Sequence, residues 1–419
     1  MTDIILKNFE LLDPEIGELK SGYEILISGG EIKKVVKGKI KYRKANVYDL
    51  SSCTLMPGLI DCHVHVTSLK LRWAMNSLQQ ILPSYATAIT LDKLRRCVLR
   101  GFTTVRDTAG ADVGHREIMR SGLFPGPRLF VSGRAISQTG GHADMRSRVD
   151  HSDPCNCFHM IGSLSGGMGR IADGIAEVRR AVRDEIRLGV DQIKVMASGG
   201  VGSPADPIHF LQYSMEELSA IVEEAERADT YAMAHAYTSA AISRALKAGV
   251  RTIEHGNFID EETANFMVEK KAYLVPTLVA YHMISKHGKE LGYPEESIAK
   301  NKNVLKIGAN SLKIAKEAGV KIAFGTDLMG ELDIYQSDEF IIRSKILTNA
   351  EVIRSATIVG AEVLRMEGRL GIITPGAFAD LIVVEGNPLE DLNLLTGQGK
   401  YLAAIMKDGQ FLKNNFKKL

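Results

Sequence analysis

One phrase recurs along the chain: a helical stretch, a glycine, then a short β-branched run. It appears as CVLRGFTTVRD at 97–107, EIRLGVDQIKVMAS at 185–198, ALKAGVRTIEHG at 245–256 and AKEAGVKIAFGTD at 315–327. The glycine suits the left-handed residue that closes a helix. The run after it is short, apolar and bounded, as a parallel strand covered on both faces should be. Repeated αβ units of this kind imply a parallel sheet with right-handed crossovers. Helix starts are legible too. Ser214-Met215-Glu216-Glu217 is a capping box that opens a helix to about Ala228. Thr238 can cap the helix that ends at Gly249, and Asp260 the one running towards Lys271. About eight strands are predicted, near 58–66, 102–107, 128–134, 190–197, 230–237, 250–255, 272–277 and 320–327. Eight αβ units place the chain in the α/β class and fit a closed (β/α)8 TIM barrel. An open doubly wound sheet competes, but its first βα turn should carry G-x-G-x-x-G. The glycines at 199, 200 and 202 follow the fourth strand instead and lack that spacing.

The two ends read differently. Residues 1–57 alternate apolar and polar positions with turn signals (EILISGGEIKKVVKG, NVYDLSSCTLMPG), and 374–419 repeat the pattern (GAFADLIVVEGNP, YLAAIMKDGQFL). These segments predict short antiparallel strands joined at Gly29-Gly30 and Asp408-Gly409. We expect 1–57 and 374–419 to meet in one small β-sandwich, with the barrel occupying 58–373.

Composition narrows the function. The chain has 419 residues, 45% hydrophobic and 24% charged, which argues against disorder, collagen or a coiled coil. It is long enough to bury a core without a staple. Its net charge is +2, and apart from Lys417-Lys418 it has no basic block to track a phosphate backbone. Nucleic acid and anionic membrane are therefore not expected partners. The amino terminus lacks a basic region followed by a long apolar one, and no apolar run approaches the ~18 residues of a membrane span. The five cysteines (53, 62, 97, 155 and 157) form no regular framework, which suggests a reducing compartment. A cytoplasmic protein is expected. Cys155 and Cys157 are half a metal site at most, because no second pair completes it.

The candidate chemistry lies at strand ends. His63-Val64-His65 ends the first predicted strand. Strand side chains alternate, so both imidazoles face the barrel interior, at the C-terminal mouth where barrel active sites are built. An H-x-H pair alone is as readily structural as functional. Here His235 ends the fifth strand, His255 the sixth and Asp327 the eighth, while Lys194 lies on the fourth. Such a set points to metal, and imidazole with carboxylate suits zinc, with manganese, cobalt or iron as alternatives. Lys194 bears on the number of ions. An apolar strand is a poor place for an unpaired ammonium, since burial lowers its pKa. A neutral amine reacts with carbon dioxide to give a carbamate, an anion with two oxygens that can bridge two cations. The alternative is a lysine paired with Glu254 or Asp191.

With these residues in place, the chain resembles the amidohydrolase superfamily. The resemblance rests on Pro57-Gly58-Leu59-Ile60-Asp61, on His63, His65, Lys194, His235, His255 and Asp327, and on the late GAFADLIVVEGNP segment, and it spans essentially the whole chain. It implies a binuclear metal centre: His63 and His65 with Asp327 on the more buried ion, His235 and His255 on the more exposed one, and carboxylated Lys194 between them. Two cations about 3.5–4 Å apart would activate a bridging water and polarise the scissile carbonyl. Asp327 would take the proton from the water and deliver it to the leaving amine. Within the superfamily the chain is most similar to the prolidase-like dipeptidases, related to imidazolonepropionase, on the segments SGRAISQTGGHAD, IKVMASGGV, HAYTSAAI and IEHGNFID. That branch implies a small-molecule substrate, an Xaa-Pro or other dipeptide, and a homo-oligomeric enzyme. Some relatives hydrolyse other N-acyl amino acids, including ochratoxin-type amides. Hydrolysis of a cyclic amide or imidazolone, deamination, and a non-catalytic binding protein remain alternatives.

Substrate contacts are read from parity and loops. His142 follows the third strand in S-Q-T-G-G-H-A-D and would contact a substrate carbonyl or oxyanion, or else sit in solvent. Tyr237 shares the inward face with His235 and could hydrogen-bond substrate or merely pack. Tyr231 has the same parity lower in the barrel, where packing is its expected role. Arg146 and Arg148 could pair with a substrate carboxylate or form a solvated loop face. Loops at 67–90, 140–170, 199–213 and 278–300 would set substrate choice.

Overall fold

The computed structural model describes residues 2–42, 44–69, 82–146, 168–203 and 206–419. The recurring helix–glycine–strand phrase is built as read. Gly249 closes the helix Ser239–Ala248 at φ 97°, a left-handed conformation that a Cβ would strain. Gly189 and Gly319 end Gly174–Leu188 and Glu295–Ala318 in the same way. Ser214 and Glu217 form the reciprocal capping box of Met215–Arg227. Thr238 and Asp260 accept the amides of Ala241 and Thr263 at their helix starts.

The barrel strands are Leu59–Val64, Phe102–Asp107, Arg128–Phe130, Ile193–Met196, Ala232–Thr238, Thr252–Phe258, Tyr273–Val275 and Lys321–Ile322. The third position is shared between two pieces. Arg128–Phe130 pairs with the second strand, and Ala135–Ser137 pairs with the fourth. The other neighbours pair in parallel in sequence order. The ring closes through the Cys62 amide, which donates to the Phe324 carbonyl at 2.8 Å, and the Asp327 amide, which donates to the His63 carbonyl at 2.8 Å. This last bond ties the eighth strand's end to the first beside the candidate site. A short strand that the pattern did not predict, Gly169–Ile171, runs parallel beside Ala135–Ser137.

Both termini build one mixed eight-stranded sheet beside the barrel. They join where Leu381–Glu385 pairs antiparallel with Cys53–Pro57. The Ile32 amide donates to the Ala377 carbonyl and the Ala379 amide to the Gly30 carbonyl, both at 2.9 Å, so the sheet bends back on a core that includes Leu6, Phe9, Ile25, Leu55 and Leu381. The expectation of antiparallel pairing throughout is corrected: Asp3–Asp13 pairs parallel with Ala45–Asp49 and Cys53–Pro57. Alternation reports which face is buried and a tight turn reports a hairpin. Neither reports the direction of a strand reached by a longer connection.

Among the described residues no helix is long and apolar enough to cross a membrane. Cys53, Cys62 and Cys97 are buried free thiols. Cys155, Cys157 and Arg148 lie outside the described residues, as do parts of three of the four loops expected to set substrate choice.

Candidate active site

The strand ends bring the predicted residues together at one mouth of the barrel. Asp327 Oδ1 lies 3.4 Å from His63 Nε2 and 3.1 Å from His65 Nε2, and its Oδ2 lies 3.9 Å from His255 Nδ1. Ligand atoms of His63, His255 and Asp327 fall within 4.8 Å of one another. The His235 ring sits 4.7 Å from the His255 ring. Lys194 is 1% exposed on the fourth strand, close enough to Asp327 and Glu254 to feel both charges.

Electrostatics leave these donors in usable forms. Burial, reinforced by the neighbouring imidazoles, holds His235 well below the ordinary histidine range. Burial does the same to His255 against the pull of Asp327. Both are therefore neutral, with a lone pair for a cation. Burial would raise Asp327, but His63 and His65 outweigh it and hold the carboxyl well below its usual value. Burial pulls Lys194 down to about 8, so a neutral fraction on the order of a tenth exists at pH 7.

The far ring nitrogens are tied down. For His63 and His65 the far nitrogen is Nδ1, which lies 2.6 Å from Glu254 and 3.0 Å from the Ala109 carbonyl respectively, whereas His255 Nδ1, the atom that approaches Asp327, is itself held 2.9 Å from Thr277 Oγ1. Such outer partners orient metal-ligating histidines and select their tautomer. The donor set and its supports fit zinc or a first-row neighbour.

Pattern reading missed Arg106, and it offered Glu254 only as a possible partner of Lys194. Arg106, fully buried, donates to Glu254 at 2.8 Å, to the Cys62 carbonyl at 2.7 Å and to Thr252 at 3.2 Å. The only available signal was an arginine inside an apolar strand, which demands a buried partner. The two acids offered as partners for Lys194 are held by other groups. Glu254 is engaged by His63 and Arg106, and Asp191 by Arg116 at 2.7 Å. Among the described residues Lys194 forms no ion pair within 4.0 Å of a carboxylate.

His142 is held in the site and only partly exposed, at 14% of its side-chain surface. Its ring stacks on His235 at 4.1 Å, and its Nδ1 lies 2.8 Å from Ser203 Oγ and 3.1 Å from Asp206. Gly200 makes this possible, since a Cβ there would fall 2.1 Å from His142 Cε1. Tyr237 stacks on His255 at 5.1 Å, and its hydroxyl lies 2.8 Å from that of Tyr281, a residue the sequence did not single out. Tyr231 packs low in the barrel, accepting from Arg106 at 3.4 Å. Arg146 bonds Asp144 at 2.8 and 2.6 Å.

The sequence pattern of the amidohydrolase family matches residues 54–412, which include every one of these groups. The chain belongs to the amidohydrolase family. It is thus a hydrolase acting on amide bonds. Among curated relatives, ochratoxinase of Aspergillus niger is 34% identical over 367 residues, covering 86% of this chain and 75% of that protein. Two solved relatives align along almost the whole amidohydrolase chain. A prolidase complexed with N-methylphosphonate-L-proline has TM-score 0.94 and 46% identity, covering 99% of this chain and 100% of the prolidase. A Xaa-Pro dipeptidase with methionine bound in its active site has TM-score 0.87 and 31% identity, again covering 99% and 100%.

Proposed function

We propose that this amidohydrolase is a metal-dependent dipeptidase that hydrolyses Xaa-Pro or related dipeptides, with other N-acyl amino acids as the second substrate class. The observation that carries the reading is the convergence of His63, His65 and His255 on the Asp327 carboxylate, beside a buried lysine that forms no ion pair within 4.0 Å among the described residues. The likeness to a prolidase, a Xaa-Pro dipeptidase and an ochratoxinase supports the substrate classes.

In this reading His63, His65, His235, His255, Asp327 and carboxylated Lys194 hold two divalent cations, zinc first. When bound, they supply Lewis-acid polarisation of the scissile carbonyl and a lowered pKa for water. The chain's own groups do the rest. Asp327, kept ionised, accepts a proton at a carboxylate oxygen from the attacking water and passes it to the leaving amine nitrogen. His142 has Nδ1 committed to Ser203 and Asp206, which leaves Nε2 to meet the substrate carbonyl. Tyr237 and Arg146 are proposed substrate contacts, Arg146 for the carboxylate. In the same reading residues 58–373 form the barrel catalytic domain, 1–57 and 374–419 the small β-sandwich, and the protein works as a cytoplasmic homo-oligomer on small molecules.

The test combines metal analysis with a library of dipeptides of varied C-terminal residue and N-acyl amino acids. Near two metal equivalents and cleavage of library members are expected. Fewer than one equivalent in freshly purified, unchelated protein, or cleavage of a cyclic amide alone, overturns the reading.

A further inference from the structure

Lys300 lies on the helix Glu295–Ala318, far along the chain from the strand ends that carry the candidate ligands. Its ammonium donates to three backbone carbonyls of one loop: Gly200 at 3.1 Å, Ser203 at 2.9 Å and Asp206 at 2.8 Å. An ammonium has three donors and no acceptor, so these bonds use its full capacity. The loop follows the fourth strand, and its carbonyls converge on a point as they would around a small cation.

The same loop carries the group that orients His142. Asp206 is 1% exposed, and its Oδ2 accepts from His142 Nδ1 at 3.1 Å, the Gly200 amide at 3.2 Å and Gln212 Nε2 at 3.3 Å. Ser203 Oγ is the second partner of His142 Nδ1, at 2.8 Å. Gln212 accepts from the His142 amide at 3.0 Å. Two of the three residues clamped by Lys300 thus touch the His142 ring through their side chains. The third, Gly200, sits where any Cβ would strike that ring.

We propose that Lys300 is a positioning residue: by gathering the Gly200, Ser203 and Asp206 carbonyls it sets the Asp206 carboxylate and the Ser203 hydroxyl that aim His142 at the substrate. Among the described residues the Lys300 ammonium bonds only to these carbonyls and to none of the proposed metal ligands. It acts through the loop, and the claim rests on the His142 role given above. A catalytic group displaced by about 1 Å can lose 10²-fold in rate, so a side chain that only shapes a loop can have a large kinetic effect.

The experiment uses the full-length, metal-loaded enzyme. Lys300→Met should lower kcat by up to about 10²-fold with KM little changed. Its metal content and Tm should stay near those of the wild type. Its crystal structure should show His142 displaced from Asp206. In Lys300→Ala, added ethylammonium should restore part of kcat by re-entering the three-carbonyl cradle, an effect that mere loss of helix packing would not produce. Wild-type kcat in Lys300→Met, or a His142–Asp206 contact that persists there, overturns the proposal. So does a parallel loss of Tm and activity that ethylammonium does not rescue. The displacement is read without substrate, so a wild-type enzyme that cleaves no N-acyl amino acid overturns the proposed function and leaves this claim to the measured distance.

Discussion

Replacing Glu254 by glutamine removes one negative charge from the middle of the barrel and little volume. The carboxylate is fully buried, 2.8 Å from the Arg106 guanidinium and 2.6 Å from His63 Nδ1. Arg106 is equally buried and cannot lose its proton, so the variant strands a cation in a low-dielectric interior. Breaking one side of a buried pair costs about 3–5 kcal/mol. The glutamine oxygen still accepts one bond, which places the expected loss near about 3 kcal/mol. A second loss is separable from the first. His63 no longer donates to an anion, and removing such an outer partner weakens metal binding by about 10–100-fold. Urea unfolding of chelated protein reads the first effect, and competition against a chromogenic chelator reads the second. The double variant Glu254→Gln/Arg106→Met should recover much of the stability but none of the metal affinity, because only the stranded charge has been removed. A stability loss below about 1 kcal/mol, the level of a surface ion pair, would refute the buried-pair argument. Unchanged metal affinity would refute the role assigned to Glu254 at His63.

Three further outcomes follow from the same geometry. Asp327→Asn should lower kcat by about 10²–10⁴-fold while KM changes far less, measured on any cleaved dipeptide; equal loss in both would remove Asp327 from proton transfer. Lys194 binds its proton less readily in the fold than in the unfolded chain, whose lysine titrates near 10.5, so the metal-free fold should gain stability as pH rises from about 8 towards 10.5, and metal uptake should quicken with pH through about 8 and with added bicarbonate. Uptake that ignores bicarbonate at every pH would count against carboxylation. Gly200→Ala places a methyl group 2.1 Å from His142 Cε1 and should cut kcat/KM by about 10²-fold with metal content unchanged; full activity would show that the His142 stack on His235 is dispensable.

The barrel was legible because four of its strands announce themselves twice, by an apolar run and by the glycine that follows the preceding helix. Terminal strand direction was not, since the parallel return of Ala45–Asp49 beside Asp3–Asp13 leaves no local mark. The candidate ligand positions could be proposed from sequence because barrel chemistry gathers at strand ends. His63 and His65 obey the two-residue period, as do His235 and Tyr237, whose rings lie 5.0 Å apart.

The period fails at the point of greatest chemical interest. Glu254 and His255 are consecutive, so alternation should send them to opposite faces. Yet Glu254 reaches His63 and Arg106, while His255 reaches Asp327. The backbone resolves the conflict: His255 has φ 74°, and Asp327, which follows Thr326 on the eighth strand's continuation, has φ 52°. Neither residue is glycine, and a left-handed conformation there costs on the order of 1–3 kcal/mol. No propensity scale would place it. It persists because each turn satisfies two contacts at once. Thr326 Oγ1 donates to Asp61 at 2.7 Å while Asp327 faces the imidazoles, and Glu254 holds Arg106 while His255 rests against Thr277 at 2.9 Å. Strain at two proposed ligands is the backbone cost of strands that deliver neighbouring side chains to the same place.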